Sequence, residues 1–157
     1  MASIDLDAID LKILNLMQAN ARISNSDLAK EVEMAPSAVL ERVKKLEQKK
    51  VILQYTTSIN PVAVQQKLLA FIFIKSTEGF TSSAKTANAL AKIPEVQEVH
   101  HIAGEDCFLV KVRTEDSASL MALMRNSLKK IPGILSTKTT IVLETVKEKQ
   151  QLVISEK

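Results

Sequence analysis

At 157 residues, with 46% apolar and 25% charged side chains, the chain can bury a core as one large domain or two small ones, and its composition excludes global disorder. No apolar stretch approaches the ~20 residues that span a bilayer, and the acidic opening "MASIDLDAIDLK" lacks the basic flank of a signal peptide. A lone Cys107 allows no intrachain disulfide and points to a reducing cytoplasm, while a net charge of +3 is too mild to name a partner.

Leu6, Ile9, Ile13, Leu16 and Met17 recur at helical spacing, with Asp5 or Asp7 available as N-cap. After "NARI", Ser24 and Asp27 fit a capping box, and Leu28, Ala29 and Val32 face inward on a short second helix. "EMA" reads as a tight turn, and Pro36 suits the first position of a third helix. On that helix Val39, Val43 and Leu46 form the buried stripe, leaving Ser37, Ala38, Glu41, Arg42 and Lys45 on the other side.

Charge is segregated in the same region. Residues 1–33 carry Lys12, Arg22 and Lys30 against six acids, whereas residues 34–50 carry Arg42, Lys44, Lys45, Lys49 and Lys50 against Glu41 and Glu47. Helix, short helix, turn and basic helix together read as a helix-turn-helix, whose last helix enters the DNA major groove. Arg42 offers a planar fork for guanine or phosphate, Ser37 reaches a phosphate or base edge, and the lysines neutralise the backbone. The plainer alternative is a three-helix packing module with a solvated basic face.

From "VILQYTTSINP" the composition turns β-like, predicting a strand and hinge over residues 53–66. "LLAFIFIK" (68–75) is an apolar strand, and residues 81–93 are helical with Ala84, Ala87, Leu90 and Ala91 aligned. "VQEVHHIA" (96–103) and "CFLVKVRT" (107–114) are strands, residues 117–131 are helical, and "ILSTKTTIVLETV" closes as a long strand. The order is βαββαβ, a split βαβ of ferredoxin-like type. "KIPEV" and "KIPGI" echo each other at the two helix-to-strand junctions. An RNA-recognition module fits this order too, but 3% aromatics and the lack of a glycine-aromatic run make Phe71, Phe73 and Phe108 core residues.

The stretch "LDAIDLKILNLMQANARISNSDLAKEVEMAPSAVLERVKKLEQKKVILQY" resembles the DNA-binding half of the feast/famine regulators, the Lrp/AsnC family. The likeness continues through "INPVAV", "HHIAGEDCFLVKV" and "KKIPGILSTKTTIVLETVKE" and so covers essentially the whole chain. It implies an α+β protein in three parts. A winged-helix-like helix-turn-helix domain occupies residues 1–52, a hinge strand 53–66, and a ferredoxin-like βαββαβ effector and oligomerisation domain 67–157. The sequence departs from the family pattern at Ala35, where a capping Ser is usual, and at Lys50 and Gln54, where glycines are common; the last two bear on the helix end and the hinge.

The resemblance further implies a prokaryotic, cytoplasmic, nucleoid-associated transcription regulator that binds double-stranded DNA. It implies a homodimer assembling to an octamer and an amino-acid effector. DNA-binding candidates are Ser37, Ala38, Arg42, Lys44, Lys45 and Lys49. Effector-binding candidates are His101, Gly104, Glu105, Asp106, Cys107 and Thr140. In "GEDC", Gly104 permits a turn whose backbone N–H groups suit a carboxylate, and an adjacent acid suits an ammonium. Many relatives carry Asp where Cys107 stands. Strand alternation gives that role to Glu105, with Asp106 as the alternative.

Catalysis and cofactors are not expected. His100 and His101 are adjacent on a strand and point to opposite faces, and two His with one Cys fall short of a four-ligand zinc site. The competing function class is a small-molecule sensor that acts as a regulatory subunit through protein partners without touching DNA.

Overall fold

The computed structural model describes residues 5–77, 84–104 and 107–155. The chain divides into two compact units, residues 1–58 with 147–157, and residues 59–146. The C-terminal segment, expected with the second domain, therefore groups with the helical unit.

In the helical unit α1 spans Ala8–Ala19, α2 Asn25–Glu31 and α3 Pro36–Gln48. Asp7 is the N-cap of α1, accepting from the Asp10 N–H at 2.8 Å. At α2 the Ser24 hydroxyl accepts from the Asp27 N–H at 3.1 Å and donates to the Asp27 carboxylate at 2.7 Å. The Asp27 side chain thus closes the box on the hydroxyl, and this bond, followed by Lys30, lowers its pKa. Ala35 caps α3 without a side-chain bond, and Pro36 fixes the first turn. Ile13, Leu28, Ala29, Val32, Val39, Val43 and Leu46 form the core of this unit, the inward stripes predicted for the three helices.

α3 ends in a Schellman motif: the Val51 N–H donates to the Leu46 carbonyl at 2.9 Å and the Lys50 N–H to the Glu47 carbonyl at 3.0 Å. Lys50 sits at φ +59° to make it. The helix end is therefore kept without the glycine, at the steric cost of a Cβ in the left-handed region.

The expected hinge strand is absent: residues 53–60 form neither helix nor strand and 61–65 form a turn. A strand needs a neighbour for its ladder, and the described residues supply none here. Leu53 and Ile59 stay largely exposed, and Tyr55 is anchored to α3 by donating its hydroxyl to Glu47 at 2.7 Å.

The second unit follows the predicted order: β1 (Leu68–Ser76), α4 (Ala84–Ala91), β2 (Val96–His101), β3 (Phe108–Thr114), α5 (Ser117–Asn126), a 3₁₀ turn (Leu128–Lys130) and β4 (Ile134–Ile141). The sheet runs β2-β3-β1-β4, antiparallel throughout. Residues 81–83, expected in α4, lie outside the described residues. Asp116 caps α5 by accepting from the Ser119 N–H at 2.7 Å, which lowers its pKa. β4 is shorter than predicted. β1 begins at Leu68, and once the Val142 N–H has reached the Leu69 carbonyl no strand remains for β4 to pair with.

Ala70, Ile72 and Ile74 on β1, Phe108, Val110 and Val112 on β3, and Leu90, Leu120, Leu123 and Leu128 from the helices make one core. The other sheet face carries Phe71, Phe73 and Leu109, which are only half-buried. Both edge strands bulge. β2 slips between Val96 and Glu98, and β4 slips opposite Lys75 and Ser76, so that Leu135 has no partner and lies 60% exposed while Ile134 packs on the core.

Candidate nucleic-acid interface and effector turn

The outward face of α3 presents Ser37, Leu40, Glu41, Lys44, Lys45 and Lys49 to solvent, with Ala38 half-buried. Lys44 pairs loosely with Glu41 at 3.7 Å. Leu40, exposed beside Ser37 and Lys44, was not singled out by the sequence; its place outside the Val39–Val43–Leu46 stripe was the available signal.

Arg42 differs from its neighbours. Its Nη1 donates to Asp7 Oδ2 and to Asp10 Oδ1, both at 2.7 Å, and only 26% of its side chain is exposed. One nitrogen of the guanidinium that the sequence assigns to guanine or phosphate is therefore engaged within the unit. The cause is local: the cap and first turn of α1 place two carboxylates beside α3, a stronger environment for a half-buried cation than water. The Asp10 and then Asp7 hydrogen bonds raise the Arg42 pKa. Asp7 is held below the usual carboxylate range by the Asp10 N–H first and Arg42 second. A depression of about 340 Å³ lies alongside, its wall including Leu6, Asp10, Ala38, Arg42 and Lys45. The sequence offers Asp7 only as a cap and does not single out Asp10, because a contact 35 or 32 residues away leaves no mark in local spacing.

In the second unit the end of the sheet where β2 turns to β3 gathers several effector candidates. Gly104 has φ +145°, a conformation that favours glycine although nothing lies within 4 Å of a Cβ built there. The Cys107 N–H donates to the Ile74 carbonyl at 2.9 Å, and its Sγ lies 3.6 Å from the Ser76 carbonyl. The His101 ring stacks on Phe108 with centroids 5.1 Å apart. Glu105 and Asp106 lie outside the described residues. Thr140 is not brought to this turn: it pairs with Phe71, three residues along β1 from Ile74, or roughly 10 Å at the rise of a strand.

The two histidines part as strand geometry requires, His100 opposite Leu109 on the open face and His101 opposite Phe108 on the core side. His100 Nε2 lies 3.1 Å from Glu98, which also accepts from Lys111 Nζ at 3.0 Å; the His100 bond first and Lys111 after it lower the Glu98 pKa. Among the described residues no group of three potential metal ligands converges, and no helix is long and apolar enough to cross a membrane.

Residues 6–47 match the AsnC-type helix-turn-helix domain and residues 69–152 the Lrp/AsnC ligand binding domain. The chain is 39% identical over 150 residues to the leucine-responsive regulatory protein of Haemophilus influenzae, covering 95% of this chain and 90% of that protein. It is 38% identical over 151 residues to the protein of the same name from Escherichia coli K12, covering 96% and 92%. Among solved structures it is similar to a transcriptional regulator of Neisseria meningitidis in complex with L-Met, with TM-score 0.87, 28% identity and coverage of 95% and 97%. It is likewise similar to the leucine response regulatory protein LrpA of Mycobacterium tuberculosis, with TM-score 0.84, 30% identity and coverage of 96% and 100%. A basic recognition helix on a three-helix unit, a βαββαβ sheet with a glycine turn at its end, and matches to both domain models converge: the chain belongs to the Lrp/AsnC family of DNA-binding, effector-responsive transcription regulators.

Proposed function

We propose that the chain binds double-stranded DNA as a homodimer or as an octamer assembled from such dimers, and that an amino acid bound near the Gly104 turn modulates this binding. The observation that carries the reading is the outward row on α3, where Ser37, Lys44, Lys45 and Lys49 are all exposed on a helix whose inner face is fully packed. In this assignment Ser37, Ala38 and Leu40 lie at the base edges, the latter two against thymine methyls, and the lysines meet phosphates. Arg42 stands behind them and holds α3 against α1.

The second-copy assignment rests on the open sheet face, where Phe71, Phe73 and Leu109 are left half-buried by the helices of one chain. The amino-acid assignment is supported by the L-Met complex of the Neisseria relative and by the positive φ of Gly104. Binding rather than catalysis is the proposed action, and a regulator of this kind works on the nucleoid in the cytoplasm. A gel retardation titration against the DNA upstream of the chain's own coding sequence tests the reading. Binding that weakens with added salt, and that changes when L-methionine or L-leucine is present, is expected. No retardation at any salt would overturn DNA binding, and indifference to all twenty amino acids would overturn the effector assignment.

A further inference from the structure

Gln18, the penultimate residue of α1, uses both ends of its side-chain amide on one residue of the C-terminal segment. The Leu152 N–H donates to Gln18 Oε1 at 2.8 Å, and Gln18 Nε2 donates to the Leu152 carbonyl at 3.2 Å. Gln151 Nε2 donates in turn to the Gln18 main-chain carbonyl at 2.8 Å, and Asn15 Nδ2 to the Ile154 carbonyl at 3.2 Å. An amide bonded to both main-chain groups of one residue imitates a neighbouring strand and reads backbone rather than side chain. The chain thus leaves the helical unit after Ser58, builds the sheet unit, and returns to α1 from Lys147 onward.

This attachment has little apolar support. Leu152 is 74% and Val153 99% exposed, and of residues 151–155 only Ile154 is half-buried. The net gain of one hydrogen bond is no larger than the conformational entropy lost by fixing one residue. Among the described residues four side-chain bonds tie the segment to α1, a gain of the same order as the cost of ordering residues 151–154. Docked and released forms lie close in free energy.

We infer that residues 149–155 are a releasable latch within the helical unit, recognised by Gln18 and Asn15 on α1. Its regulatory consequence, though not its existence, rests on the reading of the chain as an effector-responsive DNA-binding protein.

Hydrogen exchange on the full chain tests the latch. The Leu152 amide should exchange about threefold to a hundredfold more slowly than in a free peptide of the same sequence. It should return to the peptide rate in Gln18→Ala, with the amides of α1 unchanged. Gln151→Ala, which leaves α1 untouched, should lose part of the protection and covers the case in which Gln18→Ala disturbs the helix. An unprotected Leu152 amide in the wild type, or protection unaffected by either variant, overturns the proposal; protection beyond about a thousandfold overturns its releasable character. On the upstream duplex, a chain ending at Glu148 should bind about threefold to tenfold more weakly, because the reading unit is less preorganised. Equal affinity would remove the latch from DNA binding. Failure of both proteins to bind would count against the DNA-binding reading, with the exchange result deciding the latch by itself.

Discussion

Arg42 and Asp10 meet at 2.7 Å across the junction of α3 and α1, with 26% and 17% of their side chains exposed. Asp7 shares the same Nη1, so one guanidinium ties the recognition helix to the cap and first turn of its support. Hydrogen bonds to charged groups at this degree of burial contribute roughly 1.5–3 kcal/mol each when intact, and the exposed Asp7 adds less. Arg42→Ala is therefore expected to destabilise the helical unit by about 1–2 kcal/mol. A double-mutant cycle with Asp10→Asn should show a coupling of about 1 kcal/mol by denaturant unfolding. Strict additivity of the two variants would mean that the pair contributes nothing to the junction.

Protonation tests the same junction from the other side. Asp7 has a depressed folded pKa, so its contribution is fully present above its ordinary value of 3.8 and is lost as pH falls through the folded value. The wild type should lose stability more steeply than Asp7→Asn below about pH 4 and run parallel to it above about pH 6. Parallel curves throughout acid unfolding would contradict the assignment.

Tyr55 is the single tyrosine of a chain without tryptophan, so its phenolate absorbance reports the hinge directly. Partial burial first, and the bond to Glu47 second, push its pKa up to about 12. A raised pKa on an acid stabilises the fold fully below the unfolded value of about 10, and this contribution disappears as pH climbs through the folded one. Spectroscopic titration should give a midpoint near 12, lower in Glu47→Gln. A midpoint of about 10 in the native protein would show the hinge detached from α3.

Lys50 provides a stability test with a built-in exchange of charge for strain. Replacing it with glycine removes a Cβ from a left-handed position and should stabilise the chain by about 0.5–1 kcal/mol in thermal unfolding. A destabilised Lys50→Gly would mean that the Lys50 side chain makes a compensating contact.

For DNA, Lys45→Ala should weaken all duplexes about equally and reduce the salt slope by about 1, whereas Ser37→Ala should alter sequence preference. A sequence-dependent effect of Lys45→Ala would move it from the phosphates to the base edges.

Much of this molecule was legible in its sequence because its signals are local. Ser24, Pro36 and the Val39–Val43–Leu46 stripe act within a few residues, and the βαββαβ order follows from apolar runs punctuated by Pro and Gly. The partners of Arg42 were hidden because ion pairs between helices depend on packing, not spacing. The hinge misled for the opposite reason: residues 53–60 have strand-like composition, yet a strand is a property of two segments. Effector candidates were chosen by chemistry along the chain, which could not reveal that the sheet carries Thr140 away from Gly104 and Cys107.

The slip opposite Ser76 turns β4 over, so Ile134 enters the core and Leu135 faces outward at the same end of the sheet as the Gly104 turn. A chain lacking Leu135 would restore an unbroken ladder and keep Ile134 where it is. Length variation at this one position is thus nearly free for folding, while adding or removing an oily side chain beside the turn. Gains and losses of a single codon there offer the lineage a way to retune what that end of the sheet meets without redesigning the domain.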